Sequence, residues 1–133
     1  MWCTLQLGAG AVAALRETVV LGREGERPGT LSSALRATHD GRALLHDGLR
    51  LRDGDAHVAL PPGHRVVTTV CLLGLRPDPL PGVLPLEGPG SLARCSGPAL
   101  AGVEASLGGL WESWALLVGS PERTLGRKLA ARA

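Results

Sequence analysis

TLSSALRATHDGRALLHDGLRLR, residues 30–52, decides the fold class of this 133-residue chain. From Thr30 to Thr38 the residues alternate, with Leu31, Ser33, Leu35 and Ala37 on one side and Ser32, Ala34, Arg36 and Thr38 on the other. That period of two belongs to a strand. Asp40-Gly41 supplies the positive backbone angles that a tight hairpin turn demands. Arg42 to Arg52 is the return strand, with Leu45, Leu49 and Leu51 available to a core.

Upstream of the hairpin, Thr4 to Leu7 alternates polar and apolar, and Val12 to Leu21 reads as a strand broken only by Arg16 and Glu17. This strand runs into ETVVLGREGERPG, residues 17–29, where Gly22, Gly25 and Gly29 each permit backbone angles that other residues resist. Arg23, Glu24, Glu26 and Arg27 stand between the glycines. Two acids and two bases on one turn can latch the loop by ion pairs, or present a charged patch to a partner or a metal; a solvated turn is the plain alternative.

Downstream, Asp53-Gly54-Asp55 makes another turn, His57 to Leu60 a short strand, Pro61-Pro62-Gly63 a stop, and Arg65 to Leu75 a long apolar strand. Turns at such short intervals predict a mainly β fold of stacked antiparallel strands, a sandwich or a β-helix-like stack. The character changes after Arg76. RPDPLPGVLPLEGPG carries five prolines in fifteen residues and predicts an extended connector with few ladder hydrogen bonds. Ser91 is a candidate N-cap for a helix from Leu92, interrupted by Gly97-Pro98. Leu100, Val103, Leu107, Leu110, Trp111, Trp114 and Leu117 then fall at helical spacing, with Gly108-Gly109 weakening the middle. The expected organisation is a β-rich region over 1–76, a connector over 77–90, one or two helices within 91–118, and a basic tail over 119–133 that is solvated or binds an acidic surface.

Composition narrows the function classes. There is no Phe or Tyr and only three Trp, so Leu, Val and Ala must build the core. Lys and Arg number 14 against 12 Asp and Glu, and they are scattered, which is a poor footprint for nucleic acid. Cys3, Cys71 and Cys95 are an odd, widely spaced set that fits neither a disulfide framework nor a paired-cysteine zinc site. Reduced thiols and a cytoplasmic location are the expectation. The apolar opening lacks the basic segment of a signal peptide, its first base being Arg16. Val66 to Leu75 is about half the length that crosses a bilayer.

One enzyme reading starts from Gly8-Ala9-Gly10-Ala11-Val12-Ala13, which matches the G-x-G-x-x-A pattern of a dinucleotide-binding oxidoreductase, with Glu24 nominated for the ribose. Geometry opposes it. The helix would hold only about seven residues before the next strand, against the dozen or so that a parallel crossover requires.

Four segments in order carry a resemblance: Glu17 to Gly29, HDGRALLHDGLRL from His39 to Leu51, RVVTTVCLLGL from Arg65 to Leu75, and PGVLPLEGPGSLAR from Pro81 to Arg94. In sequence and spacing they resemble the C-terminal half of the urease accessory protein UreD (UreH) family, over about residues 1–118. The resemblance implies a non-enzymatic urease maturation factor: a scaffold that helps deliver nickel into apo-urease and joins it to the accessory proteins UreF and UreG, the last being the GTPase. It implies no organic cofactor, and nickel handled rather than used. Arg23, Glu24 and Glu26 are then the candidates for partner contact or ion passage. Of the four histidines, 39, 46, 57 and 64, the pair His39 and His46 flanks one hairpin and is the best candidate for nickel, which imidazole suits. Cys71 in its apolar strand, and Trp111 and Trp114 on one helical face, are expected in the core. The family carries a further N-terminal half, so the expectation is a fragment, a truncated copy.

Overall fold

The computed structural model describes residues 2–22, 30–51, 60–119, 121–124 and 127–132. Nine strands and one helix are placed among them: β1 (Trp2–Leu7), β2 (Val12–Val20), β3 (Leu31–His39), β4 (Arg42–Leu51), β5 (Val66–Leu73), β6 (Leu84–Pro85), β7 (Gly90–Gly97), α1 (Leu100–Val118), β8 (Pro121–Thr124) and β9 (Arg127–Arg132). The fold is mainly β, in two sheets. A small sheet has the order β1-β3-β4, and a larger one the order β6-β7-β5-β2-β9-β8.

The β3–β4 hairpin forms where the alternation places it. Asp40 and Gly41 have φ of 50° and 73°, so both central residues of the turn are left-handed and the strand twist is matched. Leu31 pairs with Leu51 and Leu35 with Asp47, and a register shift follows Ala37. β1 joins this sheet parallel to β3, with Leu5 opposite Ala37. A parallel neighbour needs a crossover, and here β2 supplies it by running in the other sheet.

β5 is the centre of the large sheet, antiparallel to β2 and β7. Its sequence VVTTVCLL is buried at every position but Thr69 because both faces are covered. Val70 and Leu72 look toward α1, packing with Val12, Ala14, Ala93, Trp111, Trp114 and Val118. Val67, Cys71 and Leu73 look the other way, into two clusters shared with the small sheet. The result is three layers: small sheet, large sheet, helix.

α1 survives Gly108-Gly109 because its apolar stripe is covered. Val103, Trp111, Trp114, Ala115 and Val118 are all buried, and tertiary packing outweighs a propensity penalty of about 1 kcal/mol per glycine. No side chain caps its N-terminus; Gly119, at φ 114°, ends it with a backbone bond to the Ala115 carbonyl. The first turn approaches the sheet closely at Gly97, where a Cβ would come within 2.7 Å of Val103 Cγ2.

Two expectations change. Residues 91–97 are strand, not the start of a helix: Ser91 to Gly97 pair with Leu72 to Val66, so Ser91 is buried in β7 and caps nothing. Seven residues between glycine and proline are too few for periodicity to separate strand from helix, and the unpaired flank of β5 decides it. The tail is not simply a solvated end, since the backbones of β8 and β9 form an antiparallel pair and β9 pairs with β2 along 127–132. Of the expected strand from His57, residues 57–59 lie outside the described residues, and Leu60 sits buried in a bend. The connector after Arg76 matches its proline content: only Leu84 and Pro85 join a sheet. Arg76 straps it down, Nη2 donating to the carbonyls of Leu86, Glu87 and Gly88 at 2.5, 3.0 and 2.6 Å.

Candidate functional site

Between the two sheets a row of polar residues crosses an otherwise largely apolar interior at one depth. Along β2 the inward residues are Leu15, Glu17 and Val19; along β3, Leu35, Ser33 and Leu31; along β5, Cys71, Thr69 and Val67. β4 repeats the pattern with Leu45, Asp47 and Leu49, and β7 brings Leu92 and then Arg94. Each of these triplets thus carries one polar residue between two apolar ones, and registry aligns the polar positions. Glu17 is opposite Thr69, and Thr69 is opposite Arg94, so three polar residues form one row across the large sheet. Ser33 and Asp47 are diagonal neighbours on the facing sheet, their partners being Leu49 and Leu35.

The two rows bond to each other. Ser33 Oγ donates to Glu17 Oε1 at 3.0 Å, joining β3 to β2. Arg94 Nε donates to Thr69 Oγ1 at 2.8 Å, and its Nη2 makes an ion pair with Asp47 Oδ2, joining β7 to β4. These groups surround a cavity of about 10 Å³ for water centres, room for about one water. Its walls are Glu17, Ser33, Asp47, Thr69, Cys71 and Arg94, with leucine and valine at either end.

The electrostatics weigh against thiolate chemistry at this depth. Burial, reinforced by the Asp47 and Glu17 carboxylates and only partly offset by Arg94, pushes the Cys71 thiol up from 9.0 to about 12. A thiol with so little thiolate at neutral pH reacts slowly and is a poor metal ligand. The arrangement fixes how the sheets face each other: a slip of one residue in β3 would turn Ser33 outward and leave Glu17 without this donor.

The residues singled out from sequence fall elsewhere. Arg23, Glu24 and Glu26 lie outside the described residues, as does His57. His39 and His46 do not come together. His39 follows Leu35 and Ala37 on the inner side of β3, its Nε2 buried and without a hydrogen-bond partner among the described residues. His46 is exposed on the outer side of β4, where Nε2 accepts from Arg36 Nε at 3.4 Å. His64 Nδ1 lies 2.8 Å from Ser96 Oγ. Among the described residues no group of three or more His, Cys, Asp or Glu is placed to hold a metal ion. Cys71, Trp111 and Trp114 are core residues, as expected. Gly8 to Ala11 form a turn, Ala11 N–H bonding the Gly8 carbonyl at 3.1 Å, and a strand follows rather than a helix. A glycine pattern that opens no helix presents no helix N-terminus to a pyrophosphate, which removes the dinucleotide reading.

Glu17, Ser33, Asp47, Thr69 and Arg94 were not singled out. The signal was present, one polar residue inside each alternating apolar set, but only strand registry reveals that five of them share a depth.

No family model matches the chain. It is 40% identical over 114 residues to urease accessory protein UreD 1 of Streptomyces griseus subsp. griseus, a match covering 81% of this chain and 44% of that protein. It is 36% identical over 112 residues to urease accessory protein UreD of Streptomyces coelicolor, covering 71% of this chain and 43% of that protein. The chain therefore spans a little under half the length of the curated relatives it matches. By these sequence matches the chain belongs with the UreD family of urease accessory proteins, as a stretch matching less than half of a member's length.

Proposed function

We propose that the chain acts in urease maturation as a non-enzymatic scaffold that assists nickel incorporation into the urease apoprotein, working in the cytoplasm with UreF and UreG. The observation that carries this reading is the 40% identity to a urease accessory protein over 81% of the chain. The physical character of the molecule supports it. A scaffold needs a stiff framework, and both faces of β5 are packed. It also needs surface that a partner can cover: the outer face of the small sheet exposes Trp2 at 71%, together with Arg36, His46 and Arg50.

Arg23, Glu24 and Glu26 are proposed as partner contacts or as part of an ion passage. With the imidazoles of His39 and His46 on opposite sides of one sheet, no joint nickel site is proposed for them. The test is urease activation in cells lacking their own UreD and supplied with this chain. Activation is expected, and it should fall when Arg23 and Glu24 are both changed to Ala in a chain that still folds. Full activation by the double variant would remove those residues from the reading; no activation by the parent chain would overturn the maturation role for this stretch of sequence.

A further inference from the structure

We propose that Arg94 is a movable latch over the inter-sheet cavity, closed in this structure by its bridge from Thr69 to Asp47 and open when the guanidinium turns out to solvent. The cavity has an outer and an inner end. Arg94 and Asp47 have side chains exposed by 33% and 21%, whereas Ser33 and Cys71 are 6% and 1% exposed. Solvent meets the cavity at the ion pair, and the thiol lies behind it.

The outer bond is the weaker one. An ion pair this wet is screened by salt and contributes little against hydration of its two ends, while a long side chain on a surface rearranges within nanoseconds. The rest of the interface does not depend on it. Ser33 still bonds Glu17, and apolar clusters still join the sheets above and below the polar row. Opening is therefore a side-chain event rather than a separation of layers.

Opening also changes the sign of the recess. In the closed form the guanidinium faces Asp47; turned outward, it leaves the Asp47 and Glu17 carboxylates lining the entrance with the hydroxyls of Ser33 and Thr69. The open recess admits small neutral or cationic solutes and repels anions. This proposal stands apart from the maturation role and does not require it.

Cys71 is the reporter. In a chain with Cys3 and Cys95 changed to Ser, the sole thiol is the one lining the cavity. Arg94→Lys and Thr69→Val each disturb the bridge while keeping every charge on the chain, and labelling rates are compared after correction for the thiolate fraction read from each variant's rate-against-pH profile. Iodoacetamide labelling of Cys71 should be roughly twofold faster in both variants, the population shift equivalent to losing one weak exposed ion pair. Raised salt should speed labelling of the parent and not of Asp47→Asn. Iodoacetate, matched in size but anionic, should lag behind iodoacetamide by more than it does on the urea-unfolded chain. Amide exchange along β5 should be unchanged. Equal labelling rates in the parent, Arg94→Lys and Thr69→Val would overturn the latch, as would an acceleration matched by equally faster exchange of β5 amides, which would mean that the layers separate.

Discussion

The two faces of the large sheet solve the same problem differently. On the helix side, polar residues of β2 and β5 are satisfied within their own layer or against an aromatic ring. Thr18 Oγ1 lies 2.9 Å from Thr68 Oγ1 across the strand pair, and the Arg16 guanidinium lies 5.4 Å from the Trp111 ring centre. On the small-sheet side, Glu17 and Arg94 reach across to Ser33 and Asp47, Arg94 also bonding Thr69 in its own sheet. The first solution leaves the helix held by apolar area and ring contact. The second makes the contact between layers directional, so the sheets are keyed to each other at one depth, and part of the key is exposed.

That difference can be broken by mutation, and the largest effect belongs to the helix side. Trp114→Ala removes a side chain 2% exposed from the middle of that core and should cost about 3–5 kcal/mol in urea unfolding. A loss near 1 kcal/mol would mean that α1 is docked far more loosely than its burial implies.

On the small-sheet side the largest effect is alkaline. The Cys71 thiol is raised from 9.0 to about 12, so the folded chain keeps a proton that the unfolded chain releases. Its contribution is complete below pH 9 and is lost as pH rises toward 12, by up to about 1.4 kcal/mol per pH unit. Unfolding free energy measured from pH 8 to 10.5 should fall more steeply in the parent than in Cys71→Ala. Parallel profiles would place the thiol in a wetter site.

The two cross-sheet bonds sharpen the comparison by their inequality. A double-mutant cycle on Ser33→Ala and Glu17→Gln should give a coupling of about 1 kcal/mol that survives salt. The same cycle on Arg94→Gln and Asp47→Asn should give about 0.5 kcal/mol or less, fading in high salt. Equal, salt-insensitive couplings would erase the distinction between the inner bond and the outer one.

Much of this architecture was legible in the sequence where information is local. The 31–51 hairpin follows from alternation and Asp40-Gly41, β5 from its continuous apolar run, and the connector from its prolines. α1 was visible from Leu100 onward through the spacing of Val103, Leu107, Trp111 and Trp114. What depends on distant partners was not. Ser91 to Gly97 has no decisive period and becomes strand because β5 offers a free edge. β1 lies parallel to β3 because β2 crosses between sheets, which no residue of β1 encodes. The polar row is the sharpest case: Asp47 between Leu45 and Leu49 looks like a solvent-facing residue until registry aligns it with Arg94, 47 positions away. The charged loop 23–29 lies outside the described residues, while Arg65 closes the bend before it by donating to the Gly22 carbonyl at 2.9 Å.

The central proposal, that this chain acts in urease maturation, is tested most directly by co-purification. An affinity-tagged chain, shown by circular dichroism to be folded, should retain urease apoprotein from an extract at moderate salt, with UreF and UreG supplied. Failure to retain the apoprotein under those conditions, alongside a full-length UreD that does retain it, would contradict the account.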